Sequence, residues 1–270
     1  MNIAAFFDIQ HGLAIMVLGA ARIMPSFFLL PFFNHSVISN TIRMPVIMLT
    51  GLSLWPHPID MAPLTLGGEF MRILAREFFI GLLLGMVFAL PFWVMHGIGS
   101  VIDNQRGATI SSTLDPVSGV DTSELANLFH LFAGVLFLVG GGLSVMLEAF
   151  ARSYQLCDPL LGCSPPIRPV LGLLSALMLK VMVLASPVLA ALLLSEILLG
   201  LLSRFAPQMN AFSISLTVKS MIAFFILLLY FSPLLPEKFH AAWISGAQIK
   251  TWLAPEAGSL TPIAPDGAPE

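Results

Sequence analysis

Seven ionisable side chains lie in or beside long apolar runs: Arg22, Glu77, Glu148, Lys180, Glu196, Arg204 and Lys219. In hydrocarbon such groups are costly, and they face protein or water and pair with one another. The chemistry open to them is charge pairing or proton relay. A relay has little support, because the charges are scattered and no acid–base pair stands at a defined spacing. Lys180 or Lys219 is a candidate partner for Glu196. Glu196 cannot reach Arg204 along one straight helix, since that interval rises about 12 Å. Glu148 and Arg152 stand at i,i+4, the spacing of a surface helix pair.

Other chemistries lack their motifs. There is no His-Glu-x-x-His, no P-loop and no nucleophile elbow. The histidines (His11, His35, His57, His96, His130 and His240) are dispersed and read as structural or interfacial. An enzyme, a cofactor and a metal site are therefore not expected. Cys157 and Cys163 enclose a short loop with Asp158, Pro159 and Gly162. They form a disulfide if the loop meets an oxidising compartment, and stay as two thiols otherwise.

Two polar segments interrupt the apolar chain. Asp103 to Glu124 is rich in Asp, Ser, Thr and Gly and is long for a mere connection. It contains Asp103, Asn104, Gln105, Arg106, Gly107, Asp115 and Asp121. Asp121 followed by Glu124 predicts a helix start with Asp121 as N-cap. The segment is either a movable element at a pore or binding face, or a solvated loop. The second run, Glu196 to Phe212, places Arg204, Pro207 and Asn210 between two apolar stretches. Gly81-Leu-Leu-Leu-Gly85, continued at Ala89, offers small residues on one helix face where another helix can approach. The fourteen methionines read as ordinary packing residues or a flexible apolar gasket.

Composition fixes what must carry these groups. Apolar residues make up 57% of the 270 and charged residues 10%, with mean hydropathy +0.91. A soluble domain is about 25% charged, so a polytopic membrane-type, all-α protein follows. A net charge of −3 gives no basic patch for nucleic acid. Six apolar stretches run over 11–33, 44–55, 70–102, 125–147, 170–202 and 211–235. The second is shorter than the roughly 20 residues of a span. The third and fifth, as straight helices, would reach about 50 Å, beyond a hydrocarbon core of about 30 Å. Pro25, Pro31, Pro91, Pro187 and Gly140-Gly141-Gly142 predict kinked helices or helical hairpins buried against partners.

Orientation is weakly signalled. Arg72, Arg76, Arg152, Arg168, Lys238 and Lys250 fall on the side of the termini, and Arg43, Arg106 and Arg204 on the other. That favours both termini inside. Met1 to Gln10 carry no Lys or Arg, so the first apolar segment is expected to be retained. Residues 1–236 form the hydrophobic domain. Residues 237–253 place Trp243 and Trp252 among polar groups, as in an interfacial helix. Residues 254–270 have the composition of a disordered acidic, Pro-rich tail.

One run carries a resemblance. Leu199-Gly-Leu-Leu-Ser-Arg204-x-x-Pro207-Gln-Met-Asn210-x-Phe212 resembles the signature of the T component of the type III secretion export apparatus, the family of SpaR, YscT, SctT and flagellar FliR. Ala21-Arg22-Ile-Met-Pro25-Ser-Phe-Phe-Leu-Leu-Pro31-Phe32 and Glu77-Phe-Phe-Ile-Gly81-Leu-Leu-Leu-Gly85 are similar to two further patterns of it. Asp103-Asn-Gln-Arg-Gly107 with Asp115-Pro116 and Asp121-Thr-Ser-Glu124 resembles the virulence branch, especially SpaR, as does Ser215-Leu-Thr-Val-Lys219-Ser220.

The resemblance implies a structural and gating subunit of a helical hetero-oligomeric export gate. Its partners would be the R and S components, with the U component wrapped around them. Unfolded protein substrates would pass through it. The complex would belong to the bacterial inner membrane, largely raised into the periplasm. Asp103 to Thr122 would be the plug loop, and Arg204 to Asn210 a tight turn between packed hairpins. The competing class is a self-contained secondary transporter with broken helices around a midplane site. Against it, no inverted repeat is evident in the sequence.

Overall fold

The computed structural model describes residues 3–33, 38–57, 67–108, 123–160, 168–205 and 211–242. Among them are seven α-helices and no strand: α1 (Ile3–Leu29), α2 (Asn40–Leu54), α3 (Gly68–Arg106), α4 (Glu124–Val139), α5 (Gly142–Leu156), α6 (Arg168–Phe205) and α7 (Ala211–Ala242). A single 3-10 turn, Pro31–Phe33, follows α1. Pro116 and the rest of 109–122, Cys163, Pro207 and Asn210, and the tail from 243 lie outside the described residues.

The third and fifth stretches each form one helix, α3 of 39 residues and α6 of 38, with Pro91 and Pro187 inside them. No hairpin forms within either, because a single proline removes one hydrogen bond without supplying a turn. The sharp break falls at the glycines instead: α4 and α5 meet at 73°. Gly141 holds φ +76, the left-handed conformation that closes a helix. Its N–H reaches Leu138 O at 3.2 Å, and the Gly140 N–H reaches Leu136 O at 2.9 Å.

α3 is the spine, and small residues let its neighbours approach. A Cβ on Gly81 would lie 1.8 Å from Arg22 O, and one on Gly85 would lie 3.0 Å from Ser26 Cα. The Gly81–Gly85 face is therefore the seat of α1, which runs parallel to α3. Nearer the start of α1, Gly19 meets Gly51 of α2 so closely that a Cβ on either would fall 2.5 Å from the other helix's backbone. α4 runs antiparallel to α3, with Gly99 against Ala126. Phe27, Phe32, Phe33, Phe92 and Phe137 fill the space between them, with Phe27 and Phe33 stacked at 3.9 Å and Phe92 edge-on to Phe137 at 5.3 Å.

Among the described residues three helices are long and apolar enough to cross a bilayer, Ile9–Leu29, α3 and Leu177–Phe205, with the bent α4–α5 pair a fourth if it counts as one span. Over Leu177–Phe205, α6 buries only Val181, Ala185, Val188, Leu192 and Ser195 and leaves Leu193, Leu194, Ile197, Leu198, Leu201 and Leu202 exposed. α1, α2 and α3 frame an open, wholly apolar groove of about 530 Å³, lined in part by Met24, Met44, Met48 and Met71. α7 continues to Ala242.

The packing yields a paired test. Gly81→Ala is expected to destabilise the detergent-solubilised protein by about 1–3 kcal/mol, the usual consequence of overpacking. Gly134→Ala, where an added Cβ meets nothing within 4 Å, is expected to be neutral or slightly stabilising. Thermal melts of the two variants check the contrast.

Candidate functional site

α3 carries charge only near its ends. Glu69, Arg72, Arg76 and Glu77 lie in its first turns and Asp103 and Arg106 in its last, with none over Phe78–Ile102. Each end is the centre of a polar cluster that draws on other helices.

At the first end, Arg22 of α1 and Glu77 of α3 form an ion pair of 2.6 Å, with both side chains wholly buried. Arg22 Nη1 donates to Ser153 Oγ at 3.2 Å and Nη2 to Cys157 O at 2.8 Å. Its guanidinium stands 4.0 Å over the Tyr154 ring, whose hydroxyl donates to Gly19 O. Arg76 adds a second cation 3.6 Å from Glu77 and donates to Pro159 O. His57 Nε2 lies 2.9 Å from both oxygens of Asp158. The segment from Ser153 to Leu160 is thus a strap held by side chains from α1, from α3 and from the end of α2. Cys157 within it is disulfide-bonded, and the chain's other cysteine is Cys163.

At the second end, Asp103 is wholly buried. Its Oδ2 accepts from Ser123 Oγ at 2.8 Å and from the Leu125 N–H at 3.0 Å, and its Oδ1 from Arg106 Nε at 2.7 Å. The residue capping α4 is Ser123, whose Oγ accepts from the Ala126 N–H, and not Asp121 as the sequence had implied. The physical reason is the carboxylate of α3. It already occupies the amide end of α4, where an anion is favoured, so the cap is set two residues later. Glu124 is exposed as the first residue of the helix. Gly107, with φ 81, ends α3 and its N–H returns to Asn104 O at 3.1 Å.

The second cluster extends to α6 and α7. Gln105 Nε2 reaches Glu196 Oε2 at 3.5 Å, and Lys219 Nζ lies 3.2 Å from the same oxygen. Lys219 is therefore the partner of Glu196, while Lys180 is exposed on α6. Arg106 places its guanidinium 5.1 Å over Phe224 of α7. Arg204 stands exposed at the end of α6. Glu148 and Arg152 pair on the exposed surface of α5, as their spacing implied. Asp115 and Asp121 lie outside the described residues, as do Pro207 and Asn210.

Sequence reasoning missed Ser123, Ser153, Tyr154, His57 and Asp158. Only the capping pattern before α4 was visible, and it was assigned two residues early. The structure also brings His96 of α3 and His130 of α4 together, with rings 5.4 Å apart. Among the described residues no three metal-ligating side chains gather.

Residues 13–243, which include both clusters, match the bacterial export proteins, family 1. The chain belongs to this family. It is 48% identical to the surface presentation of antigens protein SpaR of Salmonella typhimurium over 252 residues, 93% of this chain and 96% of the relative. It is 47% identical to SpaR of Shigella flexneri over 232 residues, 84% and 89% of the two chains. It is 31% identical to the Yop proteins translocation protein T of Yersinia pestis over 229 residues, 82% and 87%. In this bacterial export protein the buried charges Arg22, Glu77, Asp103 and Lys219 all belong to the two clusters at the ends of the spine, while buried Arg43 binds Phe33 O and Asn40 beside α2.

The first cluster predicts its own sensitivity. Glu77→Ala is expected to lower stability by about 3–5 kcal/mol, because it strands the buried Arg22 cation. The double variant Arg22→Met, Glu77→Leu is expected to recover part of that loss, since it removes both charges together. Denaturation in detergent, compared across the single and double variants, measures the coupling.

Proposed function

We propose that this chain is the T component of a type III secretion export apparatus, a structural and gating subunit of the inner-membrane channel that passes unfolded effector or needle proteins. Its membership of a bacterial export family supports the class. The relatives named for antigen presentation and for Yop translocation support the secretion branch. The observation that carries the gating role is the buried Asp103, which ties the end of α3 to the start of α4. The end of α3 and the start of α4, which flank residues 109–122 in sequence, are thereby held together, which supports reading the intervening residues as a plug loop.

The partners in this reading are the R and S components, with the U component around them. The broad apolar faces of α6, α4 and α2 supply surface for them. An assembly of this kind, raised largely into the periplasm, also accounts for a spine longer than a bilayer. Gating is passive. The loop closes the resting channel and is displaced by substrate, and the energy comes from elsewhere, since the sequence has no P-loop.

The transporter reading gains one feature, the break between α4 and α5. It lacks the corresponding charged groups at mid-span, because α3 is uncharged over Phe78–Ile102 and Glu196 is 55% exposed.

The experiment is deletion of Thr109 to Ser118 in a chain co-expressed with its R and S partners. Native mass spectrometry is expected to find the complex intact, and ion flux across the membrane is expected to rise. An assembled deletion variant that stays tight overturns the plug role. A chain that never joins R and S overturns the export-gate reading itself.

A further inference from the structure

We infer that the open face of α6 around Glu196 and Gly200 seats a helix from a different subunit, one that brings a basic side chain to Glu196 and an acidic one to Arg204. This deepens the export-gate reading and rests on it. Leu193, Glu196, Ile197, Gly200, Leu201 and Arg204 recur at i, i+3, i+4, i+7, i+8 and i+11, which places them along one face of the helix. All six are exposed. The seam that α6 buries within this chain, ending at Ser195, is a different one. The helix therefore has a second face with the spacing at which helices meet.

Two polar groups on that face are incomplete. Glu196 receives Lys219 at 3.2 Å and Gln105 at 3.5 Å, both on Oε2. Its Oε1 accepts no hydrogen bond among the described residues. Arg204 lies two turns further along, about 12 Å away, and has no ion pair or hydrogen bond among the described residues. Midway between them stands Gly200, where an added Cβ would meet nothing within 4 Å. Glycine inside a helix is unfavourable relative to alanine. At Gly19, Gly51, Gly81 and Gly99 another helix fills the space. Gly134 of α4 is as open as Gly200, but the exposed residues beside it, Leu131, Val135 and Leu138, are apolar and specify no partner.

The charges decide among the possible occupants. Lipid tails bring no hydrogen-bond donor, so Glu196 would stay half-bonded in hydrocarbon, which is costly. A second copy of this chain, held by the membrane in the same orientation, would set Glu196 near Glu196 and Arg204 near Arg204 across a two-fold axis, like charge against like. A helix of different sequence can place a lysine or arginine at Glu196 and an acidic residue at Arg204. Its backbone can then approach closely over Gly200.

The test uses the full chain co-expressed with its R and S partners, with native mass spectrometry for assembly and thermal melts of the chain alone in detergent. Gly200→Leu is expected to melt no lower than the parent, because the added side chain enters open space. Its yield in the complex is expected to fall about tenfold, the scale of overpacking at a close contact. A merely structural defect would lower the melt as well. A photoreactive benzophenone side chain in place of Leu201 is expected to cross-link to a helix of R or S. Arg204→Glu is expected to lower the yield, and reversal of one acidic residue on the cross-linked helix is expected to restore it.

A Gly200→Leu chain that joins R and S at the parent's level overturns the inference and leaves the export-gate reading standing. A parent chain that joins neither overturns both. A cross-link to lipid alone, or to a second copy of this chain, overturns the inference in favour of that occupant. Where Gly200→Leu does not fold, the cross-link from position 201 decides, since it leaves Gly200 intact.

Discussion

A charge taken out of water must find its counter-charge inside the fold, and the pair Arg22–Glu77 is where this chain meets that constraint most strictly. Both side chains are wholly buried, so neither helix can rotate or slide without stranding an ion. The pair sets the register of α1 on α3, and that register brings the Gly81–Gly85 face against the α1 backbone. The same guanidinium then reaches Ser153 and the Cys157 carbonyl. One side chain thereby fixes the spine, its parallel neighbour and the end of the bent α4–α5 segment. Buried ion pairs are weak evidence for net stability. Here the pair serves specificity, because four directed contacts on one cation leave few alternative packings of equal quality.

The second cluster applies the same rule at the other end of α3 with a carboxylate in the central place. The two ends differ in what they hold. Arg22 gathers a strap whose carbonyls and hydroxyl it binds directly, whereas Asp103 gathers helix termini and an arginine from its own helix. Between them the spine is uncharged over Phe78–Ile102 and buried along most of its faces. Close approach of helices there depends on glycine, at positions 81, 85, 97 and 99. Dispersion between tightly packed helices therefore holds the middle, and directed polar contacts hold the ends.

Much of this was legible in the residues. Hydropathy and low charge identified an all-α membrane-type chain, and the GxxxG face at Gly81 was read as a helix contact before its partner was known. Arg22, Glu77, Glu196 and Lys219 were singled out because charge in an apolar run demands a partner. What the sequence could not supply was which partner. Arg22 and Glu77 are separated by 55 residues, and Arg22 and Cys157 by 135, and no periodicity links them. The cap of α4 was misplaced for a related reason. Local rules favour Asp121 with Glu124, but a carboxylate from α3 occupies the amide end, and tertiary context overrides the local pattern. The prolines left two alternatives open. They were read, with Gly140-Gly141-Gly142, as sites of kinks or hairpins; the sharp 73° break falls at the glycines, where Gly141 supplies a positive φ, and α3 continues through Pro91 as one helix.

The length of the spine bears on where such a chain can reside. At the usual helical rise, α3 extends about 58 Å, close to twice a hydrocarbon core of about 30 Å. Tilt alone does not absorb a difference of that size. Either both polar ends stand outside the bilayer, or the helix is sheathed by other chains along part of its length. The apolar faces favour the second arrangement. Leu193, Leu194, Ile197, Leu198, Leu201 and Leu202 on α6 and Leu228 and Leu229 on α7 are exposed, yet the exposed Glu196 sits among the first group. Lipid would leave that carboxylate without hydrogen bonds beyond Gln105 and Lys219, while a packed neighbour can supply them. An incomplete surface of this kind matches a subunit that finishes folding only when it joins others, and the internal precision of the two clusters at the ends of α3 is what lets it present that surface in one shape.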